Sequence, residues 1–160
     1  MRLKKEGLLL MSMTQKDKQL DDIIVKDLMI PSEKVAHVQL NNPLEHALLV
    51  LIRSGYFAVP VLDTSYKLAG SISKTVILDQ ILGNERYEME RLSELKVHEV
   101  MKDDLVSIKN SASFIDGLKA VIDAPYVCVV DEEGYFDGIL TRRAILKALK
   151  RDYYQQRSNQ

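Results

Sequence analysis

Two arginines and a threonine carry the most suggestive chemistry in this sequence of 160 residues. Thr141 stands where a helix N-cap is expected, which places Arg142 and Arg143 at the first and second helical positions. Cations there oppose the helix macrodipole, at a cost of about a few tenths of a kcal/mol. The arrangement makes sense if an anion docks there. A phosphate would take backbone N–H bonds and charge-assisted guanidinium contacts together. Two solvated arginines on a surface turn fit the same spacing. Ser73 and Lys74 repeat the pattern more weakly.

Tyr56 follows Gly55, a helix stop signal, and is expected to open a strand that lines a cleft. Its ring could stack on a purine; a half-buried core tyrosine fits equally well. Ala36 has a side chain small enough to let a base approach the backbone, or is an ordinary strand alanine. His37, His46 and His98 lack metal-ligand spacing. Cys128, within Val127-Cys128-Val129-Val130, reads as a buried core thiol rather than a nucleophile. There is no Gly-rich phosphate loop, paired-His motif, Ser/His/Asp order or nucleophile elbow, so the sequence supports no enzyme and no catalytic or metal residue.

These groups need a scaffold, and composition says of what kind. The apolar fraction of 46% and charged fraction of 28% are those of a globular chain. With 22 Lys+Arg against 23 Asp+Glu, the net charge of -1 provides no global field for nucleic acid or an anionic membrane. Any anion site must be local. One cysteine allows no internal disulfide, which fits a reducing cytoplasm. Residues 1–10 read as a mis-assigned start ahead of Met11 or Met13, with a frayed helix turn as the alternative.

The chain contains one unit twice. Val25-Lys26-Asp27-Leu28-Met29 matches Val97-His98-Glu99-Val100-Met101 at an offset of 72. Short strands follow at 35–40 and 105–108, then helix-period segments at 43–53 and 112–123. In these, Leu44, Ala47, Leu48 and Leu51 answer Phe114, Gly117, Leu118 and Val121 at an offset of 70. Asn42 is expected to cap the first helix, with Pro43 at its first position, and Ser111 the second. Strands at 56–62 and 126–130, polar turns, second strands through Gly70 and Gly138, and helices at 74–82 and 142–150 complete β-α-β-β-α twice, now at an offset of 68. The drift places two extra residues of the first unit within 31–37 and two around 59–61. A charged connector at 85–95 is expected to be helical.

The pre-strand Val-x-Asp/Glu-x-Met, the Pro60-Val61-Leu62-Asp63 strand end, and Gly70-Ser71-Ile72-Ser73 with Gly138-Ile139-Leu140-Thr141 resemble a tandem pair of CBS domains over residues 22–150. The resemblance implies an α+β fold of two units packed as a pseudo-twofold pair: an N-terminal extension at 1–20, disordered or mis-assigned, unit one at 21–84, a connecting helix at 85–96, unit two at 97–150, and a tail at 151–160. It also implies a ligand rather than a cofactor, held between the units. Lys34-Val35-Ala36-His37-Val38, residues 42–51, Gly55-Tyr56 and Thr141-Arg142-Arg143 resemble the small stand-alone bacterial CBS-pair proteins that bind cyclic di-AMP. By that resemblance the site comprises Lys34, Val35, Ala36, Tyr56, Phe57, Ala58, Thr141, Arg142 and Arg143, with Phe57 standing where a smaller polar residue is expected.

Many CBS units place an Asp three residues after the Ser/Thr to hold a ribose diol. Here those positions are Val76 and Ala144. That argues against AMP or ATP, the alternative ligands of an energy sensor, and suits a cyclic dinucleotide whose two phosphodiesters face Arg142, Arg143 and Lys34. The resemblance further implies a homodimer and a regulated partner, with a stringent-response synthetase or a metabolic enzyme as candidates; a ligand-free interaction module is the remaining reading. No membrane or nucleic-acid partner is expected.

Overall fold

The structure, a computed structural model, describes residues 19–160. The expected spurious start lies outside the described residues. A 3-10 turn, Leu20–Asp22, leads into helix α1, Val25–Leu28, and strand β1, Ile30–Pro31. A second 3-10 turn, Ser32–Lys34, precedes β2, Val38–Gln39, helix α2, Leu44–Ser54, strands β3, Ala58–Leu62, and β4, Leu68–Ser73, and helix α3, Lys74–Ile81. Short helices α4, Arg91–Glu94, and α5, Val97–Val100, lead to β5, Ser107–Lys109, α6, Phe114–Ala120, β6, Tyr126–Val130, β7, Phe136–Thr141, and α7, Arg142–Ser158.

The architecture is mixed α+β, as the repeats imply. One sheet runs β2-β3-β4 and the other β1-β7-β6-β5. In each unit a helix joins a parallel pair, β2 with β3 or β5 with β6, and an antiparallel hairpin follows. The last helices start where the sequence places them: Ser73 Oγ accepts from Val76 N–H at 3.2 Å and Thr141 Oγ1 from Ala144 N–H at 3.1 Å. Helix α2 ends at Gly55, left-handed at φ 72°, whose N–H donates to Leu51 O.

The other caps differ from expectation. Pro43, not Asn42, is the N-cap of α2, because the helix begins at fully buried Leu44, whose N–H is drawn to Leu95 O at 2.9 Å. Asn42 Oδ1 instead accepts from Gln39 N–H at 2.8 Å, closing the turn after β2. Ser113 caps α6, accepting from Asp116 N–H, while Ser111 donates to Glu132. The connector is helical only at Arg91–Glu94. Leu92 of that turn is buried in the first unit's core, whereas Tyr87 and Met89 ahead of it are exposed and give residues 85–90 little apolar face with which to extend the helix. Helix α7 runs on to Ser158, so residues 151–158, expected as a tail, are helical.

Each unit lends its opening segment to the other. Val25 N–H and Lys26 N–H donate to Ala112 O and Asn110 O of unit two, and Val97 N–H and His98 N–H donate to Asn42 O and Leu40 O of unit one. Val25 is accordingly buried with Phe114, Val127 and Leu140, and Val97 with Val38, Leu44 and Val59. Strand β1 then pairs with β7, Ile30 opposite Ile139 and Pro31 opposite Gly138, while Lys102 bridges Ser71. This crossing explains the glycine of each Gly-x-x-Ser/Thr: a Cβ on Gly70 would collide with Lys102 O, and one on Gly138 with Ile30 O.

Between the two unit cores lies a third, Val35, Leu62, Cys128, Phe136 and Ile139, which seals the units together. Cys128 is 1% exposed, and burial pushes its thiol pKa up to about 12.

Candidate functional site

The sheet register relocates one of the two insertions. Ala58 pairs with Ser73 and Tyr126 with Thr141, so the offset of 68 already holds at the first residue of β3. Lys74 N–H donates to Phe57 O and Arg142 N–H to Pro125 O, which matches Phe57 with Pro125. The offset of 70 holds along α2 and α6 as far as Val50 and Ala120. The two extra residues therefore fall between these helices' last matched turn and Phe57, in the stretch that holds Gly55 and Tyr56, not around 59–61. Strand pairing constrains 59–61 too tightly to absorb an insertion, whereas the helix-to-strand loop accepts one readily. The other insertion does fall within 31–37, as the 3-10 turn Ser32–Lys34.

Both insertions border the same cleft. Val35, Ala36, Tyr56, Ala58 and Pro60 of unit one, with Tyr126 and Ile139 of unit two, line a narrow crevice above the shared core. Four of the nine expected site residues, Val35, Ala36, Tyr56 and Ala58, thus meet in one place. Tyr56 precedes β3 rather than opening it, with its N–H accepted by Ser54 Oγ at 3.3 Å. Strand β2 meets β3 only from Val38, opposite Val61. Leu40 N–H donates to Leu62 O, so the alternation of a parallel ladder would put Ala36 N–H on Ala58 O two steps earlier. There the strands have parted. Among the described residues Ala36 N–H has no backbone partner, and Ala58 O accepts from Tyr126 Oη at 2.8 Å.

Of the other expected residues, Lys34 is exposed at the end of its 3-10 turn, and Phe57 is 65% exposed, its ring outside the cleft lining. Thr141 lies directly across the ladder from Tyr126, so α7 starts beside the cleft. Arg142 and Arg143 are exposed and line a shallow groove along α7 with Leu146, Lys147 and Lys150. The Arg142 side chain turns back onto the end of α6, donating from Nε to Val121 O at 2.9 Å and from Nη2 to Ile122 O at 3.1 Å. Arg143 is left as the exposed guanidinium on the first turn.

Tyr126, Pro60 and Ile139 were not among the expected site residues, although Pro60 and Ile139 stand in the strand motifs. The signal for Tyr126 was present: it begins a strand facing the other repeat, at the position of Ala58 once the insertion is placed correctly. His37 is structural, its Nδ1 3.1 Å from Val35 O and its ring edge-on to Tyr66. Among the described residues no group of acidic, His and Cys side chains could hold a metal ion, and no helix is long and apolar enough to cross a membrane.

Comparison with known proteins places this geometry. The CBS domain family matches residues 25–83 and 97–151. Cyclic di-AMP receptor B of Bacillus subtilis (strain 168) is 46% identical over 133 residues, covering 83% of this chain and 90% of that protein. A CBS domain-containing protein from Bacillus anthracis str. Ames Ancestor is 62% identical with a TM-score of 0.77, covering 82% of this chain and 95% of the other. The Listeria monocytogenes CbpB protein, in a crystal structure of its complex with c-di-AMP, is 50% identical with a TM-score of 0.74, covering 82% and 98%. With both repeats matched and their β-α-β-β-α units joined by exchanged segments, the chain belongs to the CBS domain family.

Proposed function

We propose that this chain is a receptor for cyclic di-AMP, which binds the dinucleotide between its two CBS units and controls a partner protein according to occupancy. The observation that carries the reading is the meeting of a parted strand pair, at Ala36 and Ala58, with the start of α7 one ladder pair from Tyr126. A purine enters the cleft, where Tyr56 offers a ring to stack on. The phosphodiesters lie outward toward Arg143, Arg142 and Lys34.

Two further facts support this ligand over AMP or ATP. Val76 and Ala144 carry apolar side chains where a ribose-binding carboxylate would stand. A relative 46% identical is named Cyclic di-AMP receptor B, and a relative 50% identical has been crystallised with c-di-AMP. The protein acts by binding, without catalysis, in the cytoplasm. Exposed Leu49 and Ile52 on α2, Leu78 on α3 and Ile115 on α6 support a homodimer through helical faces. A stringent-response synthetase or a central metabolic enzyme is the kind of partner such a receptor would regulate.

A thermal-shift panel tests the reading, because a ligand that binds only the folded state raises apparent stability by mass action. Cyclic di-AMP is expected to raise Tm by several degrees, and AMP and ATP by less. A larger shift with AMP or ATP would make the protein an energy sensor. No shift with any of them would make it a ligand-free interaction module.

A further inference from the structure

Tyr126 differs from the other residues of the cleft in having a hydroxyl whose single proton is already committed. The phenol Oη donates to Ala58 O at 2.8 Å, joining unit two to unit one. Burial raises the Tyr126 pKa far above that of a free tyrosine, so the group stays protonated at physiological pH. A tyrosine hydroxyl has one proton to give and lone pairs to receive. With the proton on Ala58 O, what remains toward the cleft is acceptor only. The bond is also one-sided: Tyr126 and Ala58 hold matching register positions, opposite Thr141 and Ser73, so the counterpart of the tyrosine in the other half of the molecule is a methyl group.

We propose that Tyr126 selects the base, its Oη accepting a hydrogen bond from the exocyclic amino group of a bound adenine and refusing guanine. This rests on the reading above that the cleft holds a purine, and adds how the purine is chosen. Adenine carries an N6 amino donor where guanine carries the O6 acceptor. Guanine would set O6 against the phenol lone pairs with no proton between them. Relief would require the hydroxyl to turn from Ala58 O and leave that part-buried carbonyl unpaired. Discrimination of this kind comes from mismatch against the wrong ligand.

The test is calorimetry on the full chain, wild type and Tyr126→Phe, with cyclic di-AMP, cyclic di-GMP and a cyclic dinucleotide whose purines carry hydrogen in place of the 6-amino group. Phenylalanine keeps the ring. Loss of the hydroxyl is expected to weaken cyclic di-AMP about tenfold and to leave cyclic di-GMP unchanged or improved, so that the preference falls by at least that factor. The ligand with hydrogen at that position is expected to bind wild type about tenfold more weakly than cyclic di-AMP, and to bind the variant as well as cyclic di-AMP does. An unchanged preference, tighter binding of cyclic di-AMP by the variant, or indifference of the wild type to the amino group overturns the assignment. The wild-type arm stands even if Tyr126→Phe does not fold. Failure of the wild type to bind any adenine nucleotide removes the receptor reading and this one together, whereas binding without an amino-group effect removes this one alone.

Discussion

Arg142 Nε donates to the carbonyl of Val121 at 2.9 Å, so the first residue of α7 closes the last turn of α6. The same guanidinium reaches Ile122 O through Nη2. An arginine at a helix C-terminus satisfies carbonyls that the helix leaves open and complements the negative end of its dipole. The two adjacent arginines therefore do different work: Arg142 holds unit two together while flanking the proposed anion site, and Arg143 is free to meet the ligand.

Substitution separates them. Arg142→Ala is expected to lower unfolding free energy by about 1 kcal/mol and to weaken cyclic di-AMP. Arg143→Ala is expected to leave stability within about 0.5 kcal/mol while weakening the ligand about tenfold or more. Urea unfolding and calorimetry on both variants check this, and equal stability losses would contradict it.

Gly138→Ala is expected to destabilise by about 1–3 kcal/mol or more, since the new Cβ meets the Ile30 carbonyl of the crossing strand, and backbone cannot step aside as a side chain would. Gly134→Ala, with open space around its Cβ but a left-handed φ of 89°, is expected to cost less, about 1 kcal/mol. Chemical denaturation orders the two.

Cys128 is expected to resist thiol reagents at pH 8 in the folded protein and to react at once in denaturant. Its folded pKa of about 12 lies above the unfolded value of 9.0, so the folded state holds the proton more tightly. The resulting stabilisation is complete below pH 9 and is lost as pH rises toward 12. Cys128→Ala should flatten that alkaline limb in a thermal-melt series.

Tyr56→Phe is expected to keep most of the affinity for cyclic di-AMP, and Tyr56→Ala to lose about tenfold or more, because the ring face is what a purine stacks on. Equal losses in the two variants would shift the role to the hydroxyl.

Repeats carry their own alignment, which is why so much of this fold was legible. The offsets of 72 and 70 located both helical units and the 3-10 insertion, and the caps at Ser73 and Thr141 stood where the Gly-x-x-Ser/Thr pattern put them. Exchange of Val25 and Val97 between units was not legible, because an apolar residue beside an acidic one says that it is buried but not in which core. The second insertion was misplaced for a related reason: Tyr56 and Tyr126 look equivalent in sequence, and only hydrogen-bond register pairs Tyr126 with Ala58. In the site, it was the family resemblance rather than residue type that grouped Val35, Ala36, Tyr56 and Ala58, which line one crevice in the structure. The turning of Arg142 onto α6 depends on side-chain direction, which spacing does not encode.

The most direct measurement is titration calorimetry of the purified full chain with cyclic di-AMP, followed by competition from AMP and ATP. Saturable binding in the micromolar range or tighter, barely displaced by either competitor, is the predicted result. No heat up to roughly millimolar cyclic di-AMP, or ready displacement by AMP, would contradict it.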